Sequence, residues 1–358
     1  MHETCVRRIR DILARGVAAR ASDVHIVVGL PPLQRVHTIL SPMEGQPPVA
    51  PDEALAFVKE LLNESQLAKL LERRDFDFSA VLADGTRFRV NAHFQRGTPA
   101  LAFRAIPHKV PELAGLNLPE IVTDFANLPC GLVLVTGETG SGKSTTLAAM
   151  IDHINHQRTG HVITLEDPIE YFLQSDQCVI EQREVGTDVC DFASGLRHVL
   201  RQDPDVILIG EMRDLETIAT ALTAAETGHL VLSTLHTNDA ASTVERIIDT
   251  FPAAQQSQVR SMLASTLKGV VCQRLFPRVD VPGMVPATEI LVSTPAVRNC
   301  IRENRVFEIP NVLETNRALG MSLFDESLKR LYFGGLISRD DAVSSAHSPD
   351  QLERALMA

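Results

Sequence analysis

The sequence predicts an α/β protein of two domains, an antiparallel α+β domain followed by a domain built on a mainly parallel sheet. Three observations carry this. Residues 75–107 alternate polar and apolar side chains with a period of two. Beyond about residue 120 the strands become unbroken apolar runs, at 132–135, 162–165, 206–209 and 230–232, as strands buried on both faces require. Between the first run and a helical pattern at 145–154 lies a glycine-rich loop, the order that a phosphate-binding loop needs.

The elements follow in order. Residues 5–20 place Val6, Ile9, Ile12, Leu13 and Val17 on one stripe of a helix. Ser22-Asp23 leads into a strand over 24–28, Gly29-Leu30-Pro31-Pro32 is a turn, and 34–39 is the return strand. The proline-rich stretch 40–51 reads as loop. Residues 52–73 read as two amphipathic helices, with acids at the start of the first, where the helix dipole favours them. Then Phe76, Phe78 and Ala80 alternate with Asp75, Asp77 and Ser79, and Asp84-Gly85 is a hairpin turn. On the next strand Phe88, Val90, Ala92 and Phe94 point one way, and Arg87, Arg89, Asn91 and His93 the other. Leu101, Phe103 and Ala105 repeat the pattern opposite Arg104. This domain covers 1–110. A proline-rich linker fills 111–119, the parallel-sheet core covers 120–290, and 291–358 reads as helical. No internal repeat or low-complexity tract interrupts this plan.

Composition narrows the class. A length of 358 residues suits two domains. No apolar run approaches the ~18 residues of a membrane span, and the N-terminal residues carry no signal-peptide pattern. The expectation is a cytoplasmic protein without direct membrane insertion. A net charge of −11 argues against broad nucleic-acid binding. With no Trp and two Tyr, base-stacking platforms would have to be Phe. The six cysteines are scattered, without C-x-x-C, and read as buried reduced thiols.

Four segments carry chemistry. Gly137-Glu138-Thr139-Gly140-Ser141-Gly142-Lys143-Ser144, followed by Thr145, fits G-x-x-x-x-G-K-[ST] without mismatch. Its glycines let backbone N–H groups turn onto phosphates, Lys143 reaches the β/γ-phosphates, and Ser144 holds Mg²⁺. The bland alternative, an ordinary glycine-rich turn, fits the flanks less well. Thr164-Leu165-Glu166-Asp167-Pro168-Ile169-Glu170 ends a strand with three carboxylates; one there can orient or deprotonate water, or the segment is a solvated acidic loop. Residues 205–214 resemble a Walker B strand in which Gly210 takes the usual aspartate position, so Glu211 must supply the carboxylate that acts on Mg²⁺, directly or through water. His229 and His236 bracket a strand; an imidazole near the γ-phosphate could report its presence, although a lone histidine is more often structural. Their seven-residue offset lets them converge only if the strand ends before His236.

Together these segments resemble the secretion and pilus ATPase superfamily, in which the four occur in this order. The similarity is greatest to the type IV pilus retraction ATPases. Ala21-Ser22-Asp23-Val24-His25, Arg87-Phe88-Arg89-Val90-Asn91-Ala92 and Ala224-Ala225-Glu226-Thr227-Gly228-His229 match that family. So does Ala296-Val297-Arg298-Asn299-Cys300-Ile301-Arg302-Glu303, which resembles its AIRNLIRE motif with Val for Ile and Cys for Leu, both on an apolar helix face. The resemblance covers about 10–342.

It implies a homohexameric ring whose subunits pair a PAS-like N-terminal domain with a RecA-like P-loop ATPase domain, with ATP between them and near the next subunit. It implies that Glu166 handles water and Glu211 handles Mg²⁺, although the two roles could be exchanged. It also implies that His229 and His236 sense the γ-phosphate and that Arg89, Arg104 or Arg96 contacts phosphate; a solvated strand face is the alternative for each arginine. Hydrolysis would release this charge attraction, rotate the domains and drive an inner-membrane platform protein that returns pilin to the membrane. The polar residues Arg298, Asn299, Arg302 and Glu303 would couple hydrolysis to retraction. Three other readings stand beside this one: a PilU-like accessory retraction ATPase, a type II secretion or pilus-assembly ATPase, and a RecA-like nucleic-acid motor.

Overall fold

The change from alternating to continuous apolar patterning separates two compact units. One comprises residues 1–109 with 170–172, the other residues 110–169 with 173–358. The computed structural model describes residues 2–36, 39–82, 85–106 and 109–357.

The first unit opens with α1 (His2–Ala18), whose Ile9, Ile12 and Leu13 are buried. Strands β1 (Asp23–Ile26), β2 (Leu33–Val36) and β3 (Ile39–Pro42) follow. The expected return strand over 34–39 is thus divided between two strands, with 37 and 38 outside the described residues. β3 also occupies the start of the stretch read as loop. It lies at the sheet edge, where a proline such as Pro42 costs no central ladder bond. Pro51 opens α2 (Pro51–Leu61), where its missing N–H is harmless. Asn63 and Gln66 cap α3 (Glu64–Arg73) reciprocally.

Strands β4 (Asp75–Val81), β5 (Arg87–Gln95) and β6 (Thr98–Ala105) realise the period-two pattern. Asp84 of the expected turn lies outside the described residues. The sheet order is β3-β2-β1-β6-β5-β4, antiparallel throughout. Phe78, Phe88, Val90 and Phe103 join Phe57 and Leu70 of the helices in one core. The other face carries a cross-strand row, Arg35, Asp23, Arg104, Arg89 and Ser79, each directly paired with the next. Burial would raise the Asp23 carboxyl, but the Ser22 hydroxyl and the Arg104 guanidinium outweigh it and hold it below its ordinary value.

The second unit begins with a 3₁₀ turn at Leu113–Leu116, inside the stretch read as linker, and α4 (Ile121–Ala126). Its sheet is built from β7 (Gly131–Thr136), β8 (Gly160–Glu166), β9 (Cys178–Glu184), β10 (Val206–Ile209), β11 (Leu230–Leu235), β12 (Leu267–Pro277) and β13 (Met284–Val292). The helices between them are α5 (Lys143–Gln157), α6 (Phe192–Val199), α7 (Leu215–Glu226), α8 (Ala240–Asp249) and α9 (Ala253–Thr266). The order is β13-β12-β7-β11-β10-β8-β9, parallel except for the β12–β13 pair. Every residue of β7, β10 and β11 is buried, which is why their sequences lack alternation.

The chain closes with α10 (Pro295–Arg302), α11 (Ile309–Thr315), α12 (Phe324–Phe333), α13 (Arg339–Ser345) and α14 (Pro349–Met357). Leu352 and Leu356 of α14, whose sequence carries no motif, pack with Phe324 and Leu328 on Phe276 and Val285 of the last two strands. Cys178, Cys272 and Cys300 are buried thiols, whereas Cys190 is exposed, contrary to the uniform expectation.

Glu289 on β13 is a buried carboxylate that joins two helix starts. Its oxygens accept the N–H of Ala240 at 2.8 Å and of Phe324 at 3.4 Å. Burial raises its pKa despite the Ala240 bond, and nearby Asp239 adds to the rise. The folded state therefore holds the proton more tightly than the unfolded chain. Stability falls as pH climbs from the unfolded carboxyl range, about 4.3, through the raised native value. Glu289→Gln keeps an acceptor but cannot ionise, so its melting temperature relative to wild type should rise with pH across that window. Thermal melts from acid to neutral pH check this; a constant difference would show that Glu289 does not titrate there.

Candidate active site

The glycine-rich loop leaves the sheet at the carboxyl end of β7 and enters α5 at Lys143. Gly137, Gly140 and Gly142 all have positive φ, +141°, +82° and +89°, a region open to glycine at little cost. At Gly137 space is also decisive. A Cβ there would lie 2.3 Å from the Gln273 carbonyl oxygen and 2.6 Å from Ser141 Oγ. Lys143 is 9% exposed, and its Nζ donates to the carbonyls of Gly137 and Glu138, both at 2.8 Å. Its charge is thus held inside the loop. Ser144 and Thr145 follow in the first turn of α5, half-buried. Ser141 Oγ is buried and has no hydrogen-bond partner among the described residues. Such an orphan is costly unless a ligand oxygen meets it.

Three more segments end at the same edge. Strand order and register align Thr136 of β7 with Leu235 of β11, Ser233 with Ile209 of β10, and Ile209 with Leu165 of β8. The loop, His236, Glu211 and Glu166 therefore follow one another along the carboxyl edge of the parallel strands, where open α/β sheets bind ligands. Glu166 Oε1 accepts from Thr164 Oγ1 at 2.6 Å and from Gln182 Nε2 at 3.0 Å. Glu211 lies between an arginine and a histidine. Its Oε1 is 2.6 Å from Arg213 Nε, and its Oε2 is 3.3 Å from His236 Nε2.

The absent Walker B aspartate has a steric reason. A Cβ on Gly210 would lie 3.2 Å from the Leu165 carbonyl oxygen and 3.4 Å from Glu166 Cα. The Gly210 N–H donates to that same carbonyl at 2.8 Å. A side chain here would require the Leu165 carbonyl to give by a few tenths of an ångström.

One expectation needs correction. His229 does not join His236. It precedes Leu230, which pairs with Gly131 at the start of β7, so it lies roughly 20 Å away along the strand. Its Nδ1 donates to the Ala224 carbonyl at 2.9 Å, capping the end of α7. The strand does stop at Leu235, but only His236 benefits. The three candidate arginines of the first unit occupy two places. Arg89 and Arg104 are direct cross-strand partners, with Arg104 Nε 2.9 Å from Asp23 Oδ1. Arg96 lies on the hairpin turn at the far end of β5, exposed and with φ +49°.

Helix α10 presents Asn299, Arg302 and Glu303 to solvent and buries Val297, Cys300 and Ile301. Arg298 is half-buried, and its Nη2 donates to the Ser293 carbonyl at 3.2 Å. Sequence reasoning passed over Gln182 and Gln273, single polar residues outside the motifs, and assigned no role to Arg213 inside the 205–214 segment. Among the described residues no His/Cys/Asp/Glu cluster is arranged to hold a metal by itself, and no helix is long and apolar enough to cross a membrane.

A family model described as type II/IV secretion system protein matches residues 54–319. The chain belongs to that family. Within the secretion-system family it is 45% identical over 342 residues to the type IV pilus retraction ATPase PilT of Pseudomonas aeruginosa, covering 96% of this chain and 99% of that protein. It is 47% identical over 321 residues to a twitching motility protein of Neisseria gonorrhoeae, covering 90% and 86%. A crystal structure of the pilus retraction motor PilT with bound ADP has a TM-score of 0.91 to it at 43% identity, covering 97% of this chain and 99% of that one.

The glycines separate by mechanism. Gly140→Ala meets nothing within 4 Å and should cost only the left-handed conformation, about 1–2 kcal/mol. Gly137→Ala must displace backbone and should destabilise the loop more. Thermal unfolding of both variants checks the order, and equal losses would show that space at Gly137 is not limiting.

Proposed function

We propose that this chain is a Mg²⁺-dependent ATPase that powers type IV pilus retraction as a ring of six copies. The observation that carries the reading is the carboxyl-edge row of phosphate loop, His236, Glu211 and Glu166, in a chain nearly half identical to a named retraction ATPase over almost its whole length. The loop suits a nucleotide, because Ser141 Oγ is an unmet donor and three glycines open the backbone. The donor set also suits Mg²⁺ shared with phosphate oxygens, since hydroxyl and carboxylate ligands match a hard cation.

Lys143 would exchange its two carbonyl contacts for phosphate oxygens. Ser144 and Glu211 would hold Mg²⁺, Glu211 by itself or through water. Bound Mg²⁺ would offset negative charge on the transferred phosphoryl group. Glu166, steadied by Thr164 and Gln182, is the candidate to orient and deprotonate water. Glu211 is engaged by Arg213 and His236, and the hydroxyl and amide bonds that orient Glu166 favour it over Glu211 as base. His236 would respond to the γ-phosphate, whereas His229 caps α7. Arg89 and Arg104 are the arginines we propose for phosphate contact. The exposed residues Asn299 and Arg302 of α10 and Glu303 at its C-cap would transmit work to an inner-membrane platform protein at the cytoplasmic face; Arg298 donates to the Ser293 carbonyl.

Mg²⁺-dependent ATP hydrolysis measured against protein concentration, with mass photometry in parallel, tests the reading. Specific activity should rise as six-copy rings form. Glu166→Ala should keep the rings and lose at least about a hundredfold in rate, the scale of general base catalysis. Full activity in isolated monomers would remove the ring. Arg302→Ala and Glu303→Ala should retain hydrolysis and abolish twitching in cells that depend on this chain. Wild-type twitching in both would remove α10 from the coupling path.

A further inference from the structure

We propose that Gln273 is a positioning residue that holds the phosphate loop in its nucleotide-ready shape before any nucleotide arrives. β12 pairs in parallel with β7, and Cys272 is level with Thr136. Gln273 therefore stands at the point where the chain leaves the sheet as the loop. It is 4% exposed. One amide group makes two bonds there. Nε2 donates to the Ser141 carbonyl at 2.7 Å, and Oε1 accepts from Thr146 Oγ1 at 3.0 Å. The amide orientation is settled by chemistry, because a carbonyl can only accept. The Gln273 main-chain oxygen meets the loop a third time, against Gly137.

The consequence lies in the peptide plane. In a trans peptide the C=O and the next N–H point in opposite directions. Drawing the Ser141 carbonyl onto Gln273 turns the Gly142 N–H the other way, toward the concave side of the loop. That N–H is one of the donors a phosphate needs. The bond to Thr146 ties the first turn of α5 to the same side chain. Gln273 touches no phosphate in this arrangement; it sets the direction of groups that do. Only an amide of this length offers a donor and an acceptor at once. Methionine offers neither, and a carboxylate lacks the donor.

The inference rests on the loop binding nucleotide, so wild-type protein is titrated in parallel with a fluorescent ADP analogue. Wild type that does not bind would remove the site reading itself. Given wild-type binding, Gln273→Met should weaken ADP by about tenfold or more, the consequence of an unmet buried carbonyl in the empty loop that lets it turn away. The rise in melting temperature that ADP produces should shrink with it. A variant that melts lower but binds ADP like wild type would show a merely structural residue and overturn the proposal. Gln273→Glu supplies the decisive readout and stands alone if the methionine variant does not fold. Its protonated acid can donate to Ser141, and its carboxylate cannot. Burial raises such an acid, so its ADP affinity relative to wild type should recover as pH falls from about 8.5 to about 6. A ratio that stays flat across this range overturns the proposal.

Discussion

The parallel pairing of β7 between β11 and β12 is the constraint from which the rest follows. All six residues of β7 are buried, and its backbone groups are committed sideways to two neighbours. The strand has little freedom to slide, because a slip of one residue would exchange the side chains packed against the two covered faces of the sheet. Its last residue, Thr136, is fixed level with Leu235 and Cys272. Where the loop begins, and which strand tips flank it, is decided by that register. Every polar group at the site is carried by a strand end that the apolar interior has already placed.

Much of this was legible in the sequence, and for a physical reason. Burial on both faces writes an apolar run, burial on one face writes alternation, and both patterns survive in single residues such as Val133 and Val90. The loop was legible because glycine is required where φ is positive. The amides were not. Gln273 reaches Ser141 across 132 residues and Gln182 reaches Glu166 across 16, and one polar residue in a strand leaves no periodic trace. β3 was hidden by prolines that an edge strand tolerates. The two histidines misled because they share a motif while standing at opposite ends of one strand.

The carboxylates at the site are held unlike one another. Glu166 accepts from a hydroxyl and an amide, which orient it. Glu211 faces Arg213, whose side chain is 72% exposed, and the imidazole of His236. Exposed ion pairs of this kind contribute little to stability and are readily exchanged. Glu211 is therefore free to change partners when a stronger cation arrives, while Glu166 stays aimed.

The position of His229 has a consequence for how this motif tolerates change. Its imidazole works as a joiner between the end of α7 and the start of β11, a task that asks only for a donor of suitable reach. An amide side chain can perform it. His236, facing a carboxylate at the working edge, needs a ring that can carry charge. Two identical letters seven residues apart thus answer to different demands, one of carpentry and one of charge, and drift among relatives should fall unequally on them.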